Sequence, residues 1–229
     1  MADFITTTGI PKAANVTRNG DLISGNTLLK WLAQGKLFEA GFAPEDTAAD
    51  SQAAIDDTLA TFALQAGGSN KIIIPLFLRL AMVAEGGALG RADVVFTKPA
   101  GLCATALTLT GGRAMTSIHN MYRTSPSQNG PTATALYGAA TTFAITVSAL
   151  VAADYVDYQR RSWIDNAISV GLPMLGGGTS DALEWNFMQQ VPRGLTAGAA
   201  MLVYINTGTS DSTWFPYIQW AEVDAEDLL

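Results

Sequence analysis

The chain has 229 residues, 48% of them hydrophobic and 14% charged, with a formal net charge of −7. That composition excludes a wholly disordered chain and supplies a core able to bury roughly 70–75% of the unfolded surface, by default in one β-rich domain. The charged fraction lies well below the ~25% usual in soluble domains, so part of the neutral surface is expected to be covered by neighbours; the 13 Lys and Arg form no run, which excludes a basic arm or stripe that grips nucleic acid directly.

The first residues, Met1 to Thr8, contain neither the basic nor the apolar segment of a secretory signal. Residues 1–58 mix Thr, Asn, Gly, Ala and Asp around one compact apolar stretch, Asn26 to Gln34. Asn26 suits an N-cap, Leu28, Leu29, Trp31 and Leu32 recur at helical spacing, and Gly35 ends the turn. This predicts an N-terminal arm containing one short amphipathic helix, which either plugs the chain's own barrel or docks on a neighbouring subunit. Residues 44–57 are small and polar and read as an extended linker.

From residue 59 to residue 229 the pattern becomes a succession of strands. Thr61 to Gln65 is short, and residues 67–70 turn into a long run, Lys71 to Ala84, in which Ile72, Ile74, Leu76, Leu78, Leu80 and Met82 share one parity. Pro75 removes a ladder donor and points to an edge or a bulge. Such a run would reach about 45 Å if straight, so a bend or a change of sheet is expected. Asp93 to Lys98 and Cys103 to Thr110 read as two further strands. The long connection from Arg113 to Pro131 is of a length that normally carries a contact or a function. Met121, Tyr122 and Arg123 within it join Leu28, Leu29, Trp31 and Leu32 as candidate interface residues.

Residues 124–153 contain no charged side chain and are long enough to cross a bilayer. Pro126, Asn129, Gly130 and Pro131 break the first part, however, and then Phe143, Ile145, Val147 and Val151 alternate with Thr142, Thr146 and Ser148. Period two is the signature of a half-buried strand, not of a transmembrane helix. Tyr155 to Trp163 reads as an edge strand with charges on both faces. Leu183, Trp185 and Phe187 alternate inward in the next strand. The last two strands are Ala199 to Ile205 and Trp214 to Val223, and the acidic residues Glu222, Asp224, Glu226 and Asp227 read as a solvated end.

Reactive groups are sparse. With one Cys and one His, neither a disulfide framework nor a zinc shell of His and Cys is available. His119 lies beside Ser117 and Asn120, but no nucleophile elbow accompanies it. Asp154 and Asp157 fall on opposite faces of a strand and read as solvated charge, not a carboxylate pair. Trp214, Phe215, Tyr217 and Trp220 would suit a carbohydrate platform if they shared one exposed face, but alternation sets Tyr217 opposite Trp220. Neither an enzyme nor a cofactor is expected.

The closing pattern, an aliphatic strand Met201 to Ile205, a polar loop and an aromatic strand ending Tyr217-Ile-Gln-Trp-Ala-Glu222, resembles the last two strands of viral jelly-roll capsid proteins. Phe62-Ala-Leu and Ile72-Ile-Ile-Pro-Leu76 are similar to their first core strands. The resemblance covers roughly residues 60–224, carries no diagnostic motif, and is shared in part by tumour-necrosis-factor-like trimers and fibre heads. It implies an all-β, eight-stranded jelly-roll sandwich over residues 59–229 behind the arm of residues 1–58. The implied function is that of a structural virion protein, partnered by copies of itself as a trimer, pentamer or higher capsomer, and by other coat proteins. The basic arm of capsid proteins that hold nucleic acid directly is missing here. The alternative is a receptor- or carbohydrate-binding sandwich, a spike or fibre head.

Overall fold

Alternation of apolar and polar side chains decides most of the architecture. The computed structural model describes residues 3–5, 11–13, 27–41, 48–50, 57–67, 70–84, 89–115, 117–121, 131–138, 144–164, 182–189, 193–206 and 212–224. They form strands β1 (Asp3–Ile5), β2 (Pro11–Ala13), β3 (Leu37–Gly41), β4 (Ala49–Asp50), β5 (Leu59–Ala60), β6 (Phe62–Gln65), β7 (Lys71–Ala84), β8 (Leu89–Thr97), β9 (Leu109–Gly111), β10 (Arg113–Ala114), β11 (Ser117–Asn120), β12 (Thr134–Tyr137), β13 (Ile145–Val147), β14 (Tyr155–Ile164), β15 (Ala182–Asn186), β16 (Ala200–Asn206) and β17 (Thr213–Asp224), with one helix, α1 (Thr27–Ala33).

The pairings are antiparallel. One six-stranded sheet runs β10-β12-β6-β16-β8-β14; a second runs β11-β3-β17-β7-β15 with β4 beside the start of β17; a three-stranded sheet runs β5-β13-β9, and β1 pairs with β2. Between the two large sheets lies the main core. Phe62, Leu64, Val94, Phe96, Met201 and Val203 enter it from the first sheet, and Phe38, Leu78, Leu80, Trp214, Ile218 and Trp220 from the second. Both tryptophans of β17 are fully buried.

The opposite face of the first sheet is also covered. Ala63, Val95, Ala200, Leu202 and Tyr204 pack there against Ile145, Val147 and Leu107 of the small sheet and its flanks. Two-sided burial explains why β16 is an unbroken apolar run where β17 alternates.

The long strand β7 departs from expectation in an instructive way. Opposite β17, Gln219 pairs with Phe77 and Trp220 with Pro75, so Leu76 is the extra residue of a bulge, which Pro75 suits because it lacks a donor. The bulge reverses parity. Leu78 and Leu80 point into the main core, whereas Ile72, Ile74 and Leu76 lie on the outer face, and Ile73 takes the inner place. The single apolar parity read from the sequence is thus divided between two cores.

Three other expectations need correcting. Residues 37–41, placed within the arm, form β3, which lies inside the second sheet between β11 and β17. Cys103 to Thr110 is not a strand: a 3-10 turn at Ala100–Leu102 precedes an irregular stretch, and only β9 extends. The connection from Arg113 to Pro131 contains β10 and β11, one at the edge of each large sheet.

Candidate functional site

The helix packs on its own chain. Trp31 is buried, and Leu28, Leu32 and Met121 pack with it against Leu37, Ile74, Leu76, Ala221 and Val223 on the outer face of the second sheet. Gly35, at φ 68°, closes the helix: its N–H donates to the Leu32 carbonyl and that of Lys36 to the Trp31 carbonyl, the paired bonds of a glycine C-cap. The Asn120 amide donates to the Gly35 carbonyl at 2.6 Å and the Met121 N–H to that of Leu37. Four of the expected interface residues, Leu28, Trp31, Leu32 and Met121, therefore come together as one internal cluster. The Leu29 side chain, Tyr122 and Arg123 lie outside the described residues.

The C-terminal acidic residues are not all solvated. Glu222 is buried. Its carboxylate accepts the Thr132 hydroxyl at 2.7 Å, the Thr132 and Ala133 N–H groups at 2.9 and 3.0 Å and the Trp220 indole N–H at 3.0 Å. It thereby fixes the end of the long connection to β17. Asp224 pairs with Lys71 at 3.1 Å and Lys36 at 3.4 Å, and the hydrogen bond from Lys71, joined by that from Lys36, holds its carboxyl below the usual range. Glu226 and Asp227 lie outside the described residues.

The densest charge cluster sits where β8 meets β14. Asp93 is buried and accepts from Arg91, from Arg160 at 2.9 Å and from the Tyr158 hydroxyl at 2.5 Å. Burial alone would raise its pKa, but these hydrogen bonds outweigh that and hold the carboxyl below its ordinary value. Arg160 also lies 5.2 Å from the centre of the Tyr158 ring. On the other face of β14, Arg161 covers the Trp185 ring at 5.3 Å and Asp157 pairs with Arg193 at 3.3 Å.

Asp154, read as solvated, is buried instead. It accepts the Val151 and Ala104 N–H groups at 3.0 and 2.8 Å, and these bonds depress its pKa. They clamp the Ala100–Leu102 turn and the residues before β14 together. Five large apolar side chains are exposed among the described residues: Leu102 in the 3-10 turn, Val151 among the residues that Asp154 clamps, Val156 and Tyr158 on β14, and Met188 after β15. Val156 is exposed because β14 bulges between Tyr155 and Asp157. The sequence showed β14 as an edge strand, but nothing local revealed that a segment some fifty residues earlier would be tied to its start through Asp154.

The remaining candidates are dispersed. His119 is exposed on β11, opposite Glu39. Trp214 and Trp220 are inside, while Phe215 and Tyr217 are half-buried on the outer face. Among the described residues no group of three or more His, Cys, Asp or Glu is placed to hold a metal, and no helix is long and apolar enough to cross a membrane. No family model, curated protein or solved structure matches the chain.

Proposed function

We propose that this chain is a structural coat subunit of a virion, an eight-stranded jelly roll that works by assembling with copies of itself. The observation that carries the proposal is strand order. Numbering β3, β6, β7, β8, β14, β15, β16 and β17 from one to eight, the second sheet contains them in the order 1-8-3-6 and the first in the order 2-7-4-5. That is the order left when a long antiparallel ribbon, pairing first strand with last and second with seventh, rolls into two facing sheets. Of the remaining strands, β4, β10, β11 and β12 extend or flank the two large sheets, β5, β9 and β13 cover one face, and β1 pairs with β2. Fold alone does not transfer function; the scarcity of charge and the exposed apolar side chains at β14 add the case for a surface meant to be covered.

A carbohydrate-binding sandwich is favoured less, because two of its four candidate aromatics, Trp214 and Trp220, are sealed in the core. Light scattering on purified protein, followed by electron microscopy, separates the two. Oligomers of capsomer size or closed shells are expected. A strictly monomeric protein that binds glycan tightly would overturn the coat reading.

A further inference from the structure

Strand β14 ends its sheet: among the described strands it pairs with β8 alone. An edge of this kind presents backbone donors and acceptors to a further strand, and proteins that avoid such pairing guard the edge with Lys, Pro or inward charge. Residues 155–164 contain neither Lys nor Pro, and the bulge is confined to the start of the strand between Tyr155 and Asp157. The charges on the core-side face, Asp157 opposite Phe96 and Arg161 opposite Ala92, are of opposite sign, so they admit a second copy only in a register that matches them. Two exposed apolar side chains, Val156 and Tyr158, lie on this strand.

We propose that β14 is a contact between two copies of this chain, which join their six-stranded sheets by pairing β14 antiparallel to itself about a two-fold axis at Gln159. The inference rests on the self-assembly reading above. The charges select the register. A two-fold axis perpendicular to the sheet sets a residue opposite itself and brings like faces together. Centred on Arg160 or Arg161, it would oppose two arginines; centred on Asp157, two carboxylates. Centred on Gln159, it sets Asp157 opposite the partner's Arg161 twice over, on the face that carries Trp185, and Tyr158 opposite the partner's Arg160 on the face that carries Asp93. Opposite charges stabilise directly paired positions and like charges destabilise them, and Arg160 already stacks against Tyr158 within one chain, so the cross-pair repeats a contact that these side chains make. Strand addition at an edge supplies affinity through the main chain and leaves specificity to such side chains.

The test is a charge exchange read by analytical ultracentrifugation, with circular dichroism to follow folding. Asp157→Arg and Arg161→Asp are each expected to weaken self-association about tenfold or more, and the double exchange to restore it to within about threefold of the original. Because Asp157→Arg also breaks the pair with Arg193 and Arg161→Asp uncovers the Trp185 ring, a second variant is needed that keeps every charge. In a Cys103→Ser background, Gln159→Cys sets two thiols opposite each other at the axis, within disulfide reach, and is expected to give a covalent dimer on mild oxidation. Original protein that assembles while the folded single exchanges associate equally well and the Gln159→Cys variant stays uncrosslinked overturns this contact and leaves the assembly reading standing. Original protein that is monomeric at every concentration overturns both.

Discussion

Glu222 carries a carboxylate into the interior and is repaid there by hydrogen bonds from Thr132, Ala133 and Trp220. Truncating it strands those donors without partners, at about 1–3 kcal/mol for each unsatisfied group. Glu222→Ala is therefore expected to destabilise the fold by about 3 kcal/mol or more, lowering the Tm by roughly 6–12 °C for a chain of this length. Glu222→Gln, which keeps an acceptor, should lose less. A Glu222→Ala variant with the melting curve of the parent would show that the clamp contributes nothing. Asp93 makes a prediction about pH. Its folded-state pKa lies below the ordinary value, so the stabilisation it provides is complete above about pH 4, the unfolded-state pKa, and is lost as pH falls through the folded-state value. Urea midpoints measured from pH 6 to pH 2.5 should fall on the acid side, and Asp93→Asn should flatten part of that fall, with Asp154 and Asp224, also depressed, supplying more of it. Parallel curves for parent and variant would refute the assignment.

At the scale of elements, deletion separates the arm from the sheets. Removing residues 1–26 takes away β1 and β2, which pair with each other, and should leave the cooperative thermal transition in place. Removing residues 1–58 also takes β3, with Phe38 and Ala40 in the main core and Trp31 and Leu37 on the outer face, and leaves residues 218–221 of β17 paired with β7 on one side only. That variant is expected to lose the cooperative transition altogether; a sharp melt near the parent's would contradict the structural role of β3. The helix, the bulge at Pro75 and the edge character of β14 were legible in the sequence, because each has a local signature: spacing, a missing donor, charges on both faces. β3 was not. Its Leu37-Phe-Glu-Ala-Gly41 is short and has one polar residue, so its membership of the sheet is conferred by β17, far along the chain. The same is true of Glu222 and Asp154, whose acidity suggested water and whose burial depends on partners about fifty to ninety residues away in sequence. Cys103 to Thr110 failed for the opposite reason. Its small apolar side chains fit a strand, but Leu107 is buried beneath the small sheet by an irregular turn instead.

The whole molecule is layered: α1 lies over part of one large sheet, the main core separates the two large sheets, and the small sheet covers the far side. Both outer faces are thus partly occupied by the chain itself. Position in the chain and position in the sheet are inverted. β16 and β17 come last in sequence, yet each lies in the middle of its sheet, β16 between β6 and β8 and β17 between β3 and β7. During synthesis neither sheet can close until residues 200–224 have left the ribosome, and the contacts then made span most of the chain, the arrangement that slows folding most. A chain interrupted before that point holds two sheets without centres and no finished β14 edge support. Such a chain keeps β14 on β8 but lacks the strand that ties that pair to the rest of the first sheet, so truncation anywhere before residue 200 costs both large sheets at once.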